Sequence, residues 1–148
     1  MKKYYFLRED LFELENRINK LRSKVKDLGT EQGEANRQST ENFGHDDACQ
    51  EAIYQERVVT LSRLNDLILM LNGAVVIDPK GPFDKVRFGS IVELSNRKRL
   101  RIGSYSIFAE HPIHTVSYNS PVGLALIGKA EGNEVELFGQ KLTIVKIT

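Results

Sequence analysis

Leu7, Leu11, Leu14, Ile18, Leu21, Val25 and Leu28 stand 4, 3, 4, 3, 4 and 3 residues apart, with charged or polar side chains at most positions between them. Alternating steps of three and four keep one stripe of a helix turned toward a partner, so the spacing predicts a coiled-coil seam. The next seam positions, Gln32 and Ala35, are weaker. Gly29 and Gly33 each cost about 1 kcal/mol relative to alanine inside a helix. This helix is expected to run from about residue 8 to about Gln38. A second stripe, Tyr54, Val58, Leu61, Leu64, Ile68 and Leu71, ends at Gly73, a helix stop signal. Asp46 or Asp47 can cap its start. Two such helices flanking "STENFGHDD" predict an antiparallel hairpin with that segment at its far end. A helix of ~30 residues at ~1.5 Å each is ~45 Å long, and its single narrow seam calls for a globular base.

The period changes after Gly73. "AVVID" is a short strand running into the turn "PKGP", and "KVRFGSIVEL" is strand-like but broken by Gly89, which predicts a bulge or tight corner. "RLRIGSYSIF", "IHTVSY", "NEVELF" and "KLTIVKI" follow, separated by Gly, Asn or Pro. "SPVGLALIG" differs. Ser120 followed by Pro121 is an N-cap with proline at the first helical position, so a short buried helix is expected near 121–127. The fold class is therefore α+β: a helical hairpin over 1–73 and an antiparallel β domain with one helix over 74–148.

Composition sharpens this division. The chain has 148 residues, 41% hydrophobic and 28% charged, with a net charge of +1. Such a balance gives no reason for bulk attraction to nucleic acid or membrane. No apolar run approaches the roughly 20 residues that span a bilayer, and the apolar stretch in "MKKYYFLRED" is too short for a signal peptide. Cys49 is the sole cysteine, in keeping with a reducing cytoplasm. Residues 1–73 carry 11 Lys and Arg against 13 Asp and Glu, whereas residues 74–148 carry 10 against 7, and all four prolines lie after residue 78.

Charge is also uneven within the hairpin. No Lys or Arg lies between Arg37 and Arg57, while "STENFGHDDACQE" holds Glu41, Asp46, Asp47 and Glu51. Carboxylates without local cations are free to take a hard cation such as Mg²⁺. Asp-Asp ahead of a helix is equally what capping and the helix dipole select. A solvated helix–helix turn is thus the plain alternative.

The segment "VSYNSPVGLALIGKAEGNEVEL" resembles the C-terminal signature of the bacterial Gre transcript-cleavage factors. Val116, Ser117, Ser120, Pro121, Ala125, Leu126, Gly128, Lys129, Gly132, Glu134 and Val135 carry the match. "VRFGSIVEL" resembles the family's opening strands and "AVVID" its interdomain segment. The resemblance implies an antiparallel coiled coil joined to an FKBP-like domain, in a cytoplasmic, monomeric transcription elongation factor, with the broad classes RNA polymerase binding and DNA binding. It implies that the globular domain docks at the rim of the polymerase secondary channel, through Ser117, Asn119, Ser120 and Pro121. The hairpin then enters the channel and reaches the nascent RNA 3′ end. Tip acids near 41–47 would share the active-site Mg²⁺, with Asp46 and Asp47 as metal ligands and Glu41 assisting. The protein would not be an enzyme by itself but would stimulate the polymerase's own RNA cleavage.

The tip departs from the family pattern, approximately Gly-Asp-x-x-Glu-Asn-Ala-Glu/Asp-Tyr with two working acids three apart. Aligning Asp46-Asp47-Ala48 with Glu-Asn-Ala puts Phe43 where the first acid belongs. Aligning the glycines puts His45 there and Ala48 at the glutamate. Neither register keeps both acids, so a Gre-like regulator that occupies the channel without cleaving is the alternative. Phe43 either folds back on the helices or contacts the polymerase. His45 beside Asp46 is too small a set for a specified Zn²⁺ site; His111 and His114 are expected in loops, and Cys49 is a bystander. "NRKRLR" is a solvated β-turn or, with Arg97, Lys98, Arg99 and Arg101, a nucleic-acid contact. An FKBP-like fold does not by itself confer prolyl isomerase activity.

Overall fold

The computed structural model describes residues 2–41 and 47–148, with side chains outside 31–48. Elements follow the order β1 (Tyr4–Phe6), α1 (Arg8–Glu41), α2 (Asp47–Asn72), β2 (Ala74–Val76), β3 (Ile91–Leu94), β4 (Arg99–Gly103), β5 (Thr115–Ser117), α3 (Pro121–Leu126), β6 (Glu134–Leu137) and β7 (Gln140–Ile147). The chain divides into two compact units, Leu14–Asn72 and Met1–Glu13 with Gly73–Thr148. The hairpin expected over 1–73 therefore gives up its first residues to the β unit. The aromatic run Tyr4–Phe6 is the cause: β1 pairs in parallel with β2, Tyr4 opposite Ala74 and Phe6 opposite Val76. Arg8 then closes on Asp78 at 2.8 Å, a bond and charge that raise the guanidinium pKa above its ordinary value.

In the helical unit, Leu14, Ile18 and Leu28 are buried, as the first stripe predicts. The second helix differs from expectation over its first half. Tyr54, Val58 and Leu61 are exposed, while Leu64, Ile68 and Leu71 are buried or half-buried as expected; Ile53, Arg57, Thr60 and Leu67 complete an inward face with Leu64 and Leu71. The predicted stripe stepped 4, 3, 3, 4, 3, and its repeated step of three breaks the alternation; the observed face steps 4, 3, 4, 3, 4. Keeping that alternation puts polar Thr60 inside, where its hydroxyl donates to the Glu56 carbonyl at 2.7 Å. Arg57 lies across Gly29, its guanidinium 3.6 Å from where a Cβ would stand. Lys24 pairs with Glu56 at 3.0 Å. Nearer the start of α1, Arg17, Lys20 and Leu21 line a hollow with Arg63 and Leu67, which lie later in α2, so the two helices run antiparallel.

The β unit holds a five-stranded sheet in the order β5-β4-β3-β7-β6. Its pairs are antiparallel, as expected, except β4 with β5, which run parallel. A tight turn cannot join parallel neighbours, and the long 104–114 connection supplies the crossover. Alternation sends Leu100, Ile102, Val135, Leu137, Leu142 and Ile144 into the core while Arg99, Glu134 and Glu136 stay outside. The phase then slips in β7. Between Val92–Ile147 and Leu94–Ile144, β3 advances two residues and β7 three, so a bulge in β7 exposes Val145 and returns Ile147 to the core. Of the bulge or tight corner expected at Gly89, the structure has the corner, a turn. Gly89 has φ +86°, and Pro79 occupies the space a Cβ would need.

Candidate functional site

Two constructions in the β unit bring chemistry-bearing residues together, and the first is the serine-proline turn. Ser117, at the end of β5, donates its hydroxyl to the Tyr105 carbonyl at 3.0 Å and accepts the Asn119 amide at 3.2 Å. Its carbonyl accepts the Ser120 hydroxyl at 2.7 Å. Ser120 in turn accepts the Gly123 amide at 3.1 Å and so caps α3, with Pro121 at the helix start as the sequence predicted. A Cβ at 123 would overlap the Ser117 carbonyl oxygen, so glycine is required there. The structure therefore brings Ser117, Asn119, Ser120 and Pro121 into one turn. The two serine hydroxyls are committed within it, while Asn119 and Pro121 face outward.

The short helix is amphipathic rather than wholly buried. Gly123 and Leu126 face the core, but Leu124 is 62% exposed and Ile127 also reaches solvent. Leu124 and Ile127 are thus exposed on the helix that follows the outward Asn119 and Pro121. The unbroken apolar run "VGLALI" had hidden them, because a run this short does not reveal which side faces out.

The second construction is a buried carboxylate. Asp10, at the start of α1, is fully buried. It accepts the Ser104 hydroxyl at 2.6 Å and the Phe108 and Ala109 amides at 2.9 Å each. Ser104 also accepts the Leu7 amide at 2.7 Å. Beside it, Arg101 pairs with Glu9 at 3.0 Å and donates to Thr115 at 3.0 Å. Arg101 is thereby withdrawn from the basic run, to a buried place no local pattern announced. The carboxylate is saturated by three donors, so its role is to fix the 104–114 connection against the start of α1.

The remaining candidates separate from these. Phe43, His45 and Asp46 lie outside the described residues, as do the side chains of Glu41 and Asp47. Cys49 is free and exposed. His111 is an exposed turn residue whose Nδ1 accepts the Ile113 amide at 3.1 Å. Among the described residues no group of three or more His, Cys, Asp or Glu could hold a metal, and no helix is long and apolar enough to cross a membrane.

Comparison with known proteins bears on the unit that holds both constructions. Residues 79–148 match the family described as "Transcription elongation factor, GreA/GreB, C-term". The transcription elongation factor GreA of a Nitratiruptor species is 40% identical over 100 residues, 62% of this chain and 61% of that protein. GreA of Helicobacter hepaticus is 38% identical over 81 residues, 51% of this chain. The chain thus spans about half to three-fifths of the length of these curated relatives. Among solved structures, GreA factor homolog 1 (Gfh1) of Thermus thermophilus is 22% identical, with 99% of each chain covered and a TM-score of 0.48.

Proposed function

Residues 79–148 belong to the GreA/GreB C-terminal family, and from that premise we propose that this chain is a transcription elongation factor acting on RNA polymerase in the cytoplasm. The observation that carries the reading is the family match over the unit built around the Ser117–Pro121 turn. In this reading the exposed side of that turn, Asn119, Pro121 and Leu124, seats the β unit at the rim of the polymerase secondary channel. Ser117 and Ser120 hold the turn's shape. The 41–47 segment of the hairpin enters the channel toward the nascent RNA 3′ end. Asp46 and Asp47, with Glu41, lend carboxylate oxygens to Mg²⁺ in the polymerase active site. Mg²⁺ there would supply charge neutralisation and an activated water. The chain contributes ligands and position, and the hydrolysis belongs to the polymerase.

A second reading is favoured by the spacing of the acids. The tip lacks two carboxylates three residues apart around Glu-Asn-Ala, and this supports a regulator that occupies the channel without promoting cleavage. A stalled, backtracked elongation complex separates the two. A cleavage factor shortens the RNA in a Mg²⁺-dependent way, and Asp46→Asn with Asp47→Asn abolishes shortening while polymerase binding survives, since asparagine caps a helix about as well as aspartate. Binding without shortening at any Mg²⁺ concentration removes the cleavage reading and leaves the regulator. Failure to bind polymerase removes both.

A further inference from the structure

Most of the run "NRKRLR" lies outside both constructions. Arg101 is committed to Glu9 and Thr115, but Arg97, Lys98 and Arg99 stand exposed at the β3–β4 turn and form no ion pair among the described residues. Two features make this more than a solvated turn. The β6–β7 turn lies beside it, as the mutual bonds of Ser95 and Thr143 require: the Ser95 amide donates to the Thr143 carbonyl and the Thr143 amide to the Ser95 hydroxyl, at 2.9 and 3.0 Å. That second turn presents Phe138, 60% exposed, with φ +55°. Phe138 and Gly139, both with positive φ, form the two-residue turn, and that position holds the ring outside the core. Lys98 then sits over its ring, Nζ 5.0 Å from the centroid.

Phe138, Lys98, Arg99, Leu100 and His114 line one open groove of about 390 Å³. His114 is held beside the cations because its carbonyl accepts the Arg101 amide at 2.9 Å. The facing carboxylate is Glu93, paired across the strands with Arg99 on one side and Lys146 on the other, without closing an ion pair to either. The row therefore keeps a positive balance. Cations beside an exposed aromatic face are the elements of single-strand recognition: phosphates meet the cations and a base stacks on the ring. An acidic polypeptide without apolar side chains would use the cations and leave the phenyl ring uncovered.

We propose that this groove binds single-stranded nucleic acid, with Phe138 as the stacking platform and Arg97, Lys98 and Arg99 as phosphate contacts. The site is separate from the Ser117–Pro121 turn and does not depend on the polymerase reading, because it is tested with the free protein. The full chain is titrated into fluorescein-labelled 12-nucleotide oligo-U and oligo-dT, with a 12-base-pair duplex and polyglutamate as competitors, while anisotropy is followed. Both single strands should bind at low salt. Phe138→Ala should weaken binding about tenfold. Lys98→Gln with Arg99→Gln should lower the slope of log K against log salt by roughly 1.4, from about 0.7 per lost phosphate contact. Arg63→Gln, on the helical hairpin, should leave binding unchanged. All these side chains are exposed, and far-UV spectra confirm that each variant is folded. Binding by one of the two strands alone still supports the groove and assigns it to RNA or to DNA. The proposal fails if neither strand binds, if Phe138→Ala binds as the parent does, if Arg63→Gln abolishes binding, or if duplex or polyglutamate displaces oligo-U as well as oligo-dT does.

Discussion

The helical and β units bury apolar surface by different rules. In the helical unit each buried side chain finds its place through a step of three or four along its own helix, and Leu14, Ile18, Leu28 and Leu64 lie on two stripes. In the β unit, decisive contacts join residues far apart in the chain. Asp10 meets the Ser104 hydroxyl and the Phe108 and Ala109 amides across 94, 98 and 99 residues. A stripe tolerates a lapse, because the next turn of helix supplies another contact. A buried carboxylate does not, since each of its partners is stranded together when it is lost. The two units should therefore answer substitution on different scales.

They also carry different reporters. Tyr4, Tyr5, Tyr105 and Tyr118 all belong to the β unit and stack in edge-on pairs, Tyr4 to Tyr105 at 4.6 Å and Tyr5 to Tyr118 at 5.7 Å. Tyr54 is the one tyrosine in the helical unit, and the chain has no tryptophan. Near-UV circular dichroism thus follows the β unit, and ellipticity at helical wavelengths follows mainly α1 and α2.

The largest effect is expected at Asp10. Asp10→Ala strands a hydroxyl and two amides in a dry site, at about 1–3 kcal/mol for each unsatisfied group; the three sum to about 3–9 kcal/mol, and because single substitutions rarely cost more than about 5 kcal/mol a loss near the low end, about 3–5 kcal/mol, is expected. Asp10→Asn should cost less than half as much, because its amide oxygen still accepts from Phe108 and Ala109. The near-UV signal should melt earlier in Asp10→Ala than in Asp10→Asn. Equal melting of the two variants would mean that charge, not the three donors, sets the contribution.

How much of this was legible follows the same division. The first stripe, the strands after Gly89 and the cap at Ser120 each rest on a pattern within a few residues, and each appears in the structure. The second stripe held at Leu64, Ile68 and Leu71 and failed over its first half, where pattern gave way to composition. Leu61 and Val58 are apolar enough to attract a seam, but the 3–4 alternation placed Thr60 and Arg57 inward instead. Asp10, Arg101 and the β1–β2 pairing rest on partners brought together only by the finished fold, and one sequence carries no record of such partners. The parallel β4–β5 pair was missed because a strand's direction is set by its connection rather than by its residues. The Ser117–Pro121 turn was legible as a signature, but its division into inward hydroxyls and outward Asn119, Pro121 and Leu124 was not.

The register of α2 gives a middle-sized test. Leu64 is 7% exposed and Leu61 is 36% exposed, although both are leucines three residues apart on one helix. Leu64→Ala should cost about 2–3 kcal/mol, near the low end for a buried leucine because one narrow seam relaxes easily. Leu61→Ala should cost under about 0.5 kcal/mol, as alanine's helix propensity offsets the small area lost. Helical ellipticity followed through chemical denaturation reads both. A loss at Leu61→Ala as large as that at Leu64→Ala would return Tyr54, Val58 and Leu61 to the buried face.

The smallest effect belongs to the pair that joins the two helices by charge. Lys24 and Glu56 approach to 3.0 Å, yet their side chains are 50% and 52% exposed. Water screens a pair so placed, and holding two long side chains in one geometry costs rotamer entropy, so the coupling should be about 0.2–0.5 kcal/mol. A double-mutant cycle of Lys24→Ala and Glu56→Ala isolates that term. Glu56 complicates the cycle in one respect, because its carbonyl, not its carboxylate, receives the buried Thr60 hydroxyl. Alanine at 56 keeps that carbonyl, so the Thr60 bond survives in all four corners and cancels. Raising salt from low to about 1 M, where the screening length falls to ~3 Å, should erase most of the coupling. A coupling above about 1 kcal/mol that persists in high salt would mean that charge, and not the alternation of Leu14, Ile18, Leu28 and Leu64, sets how α1 and α2 pair.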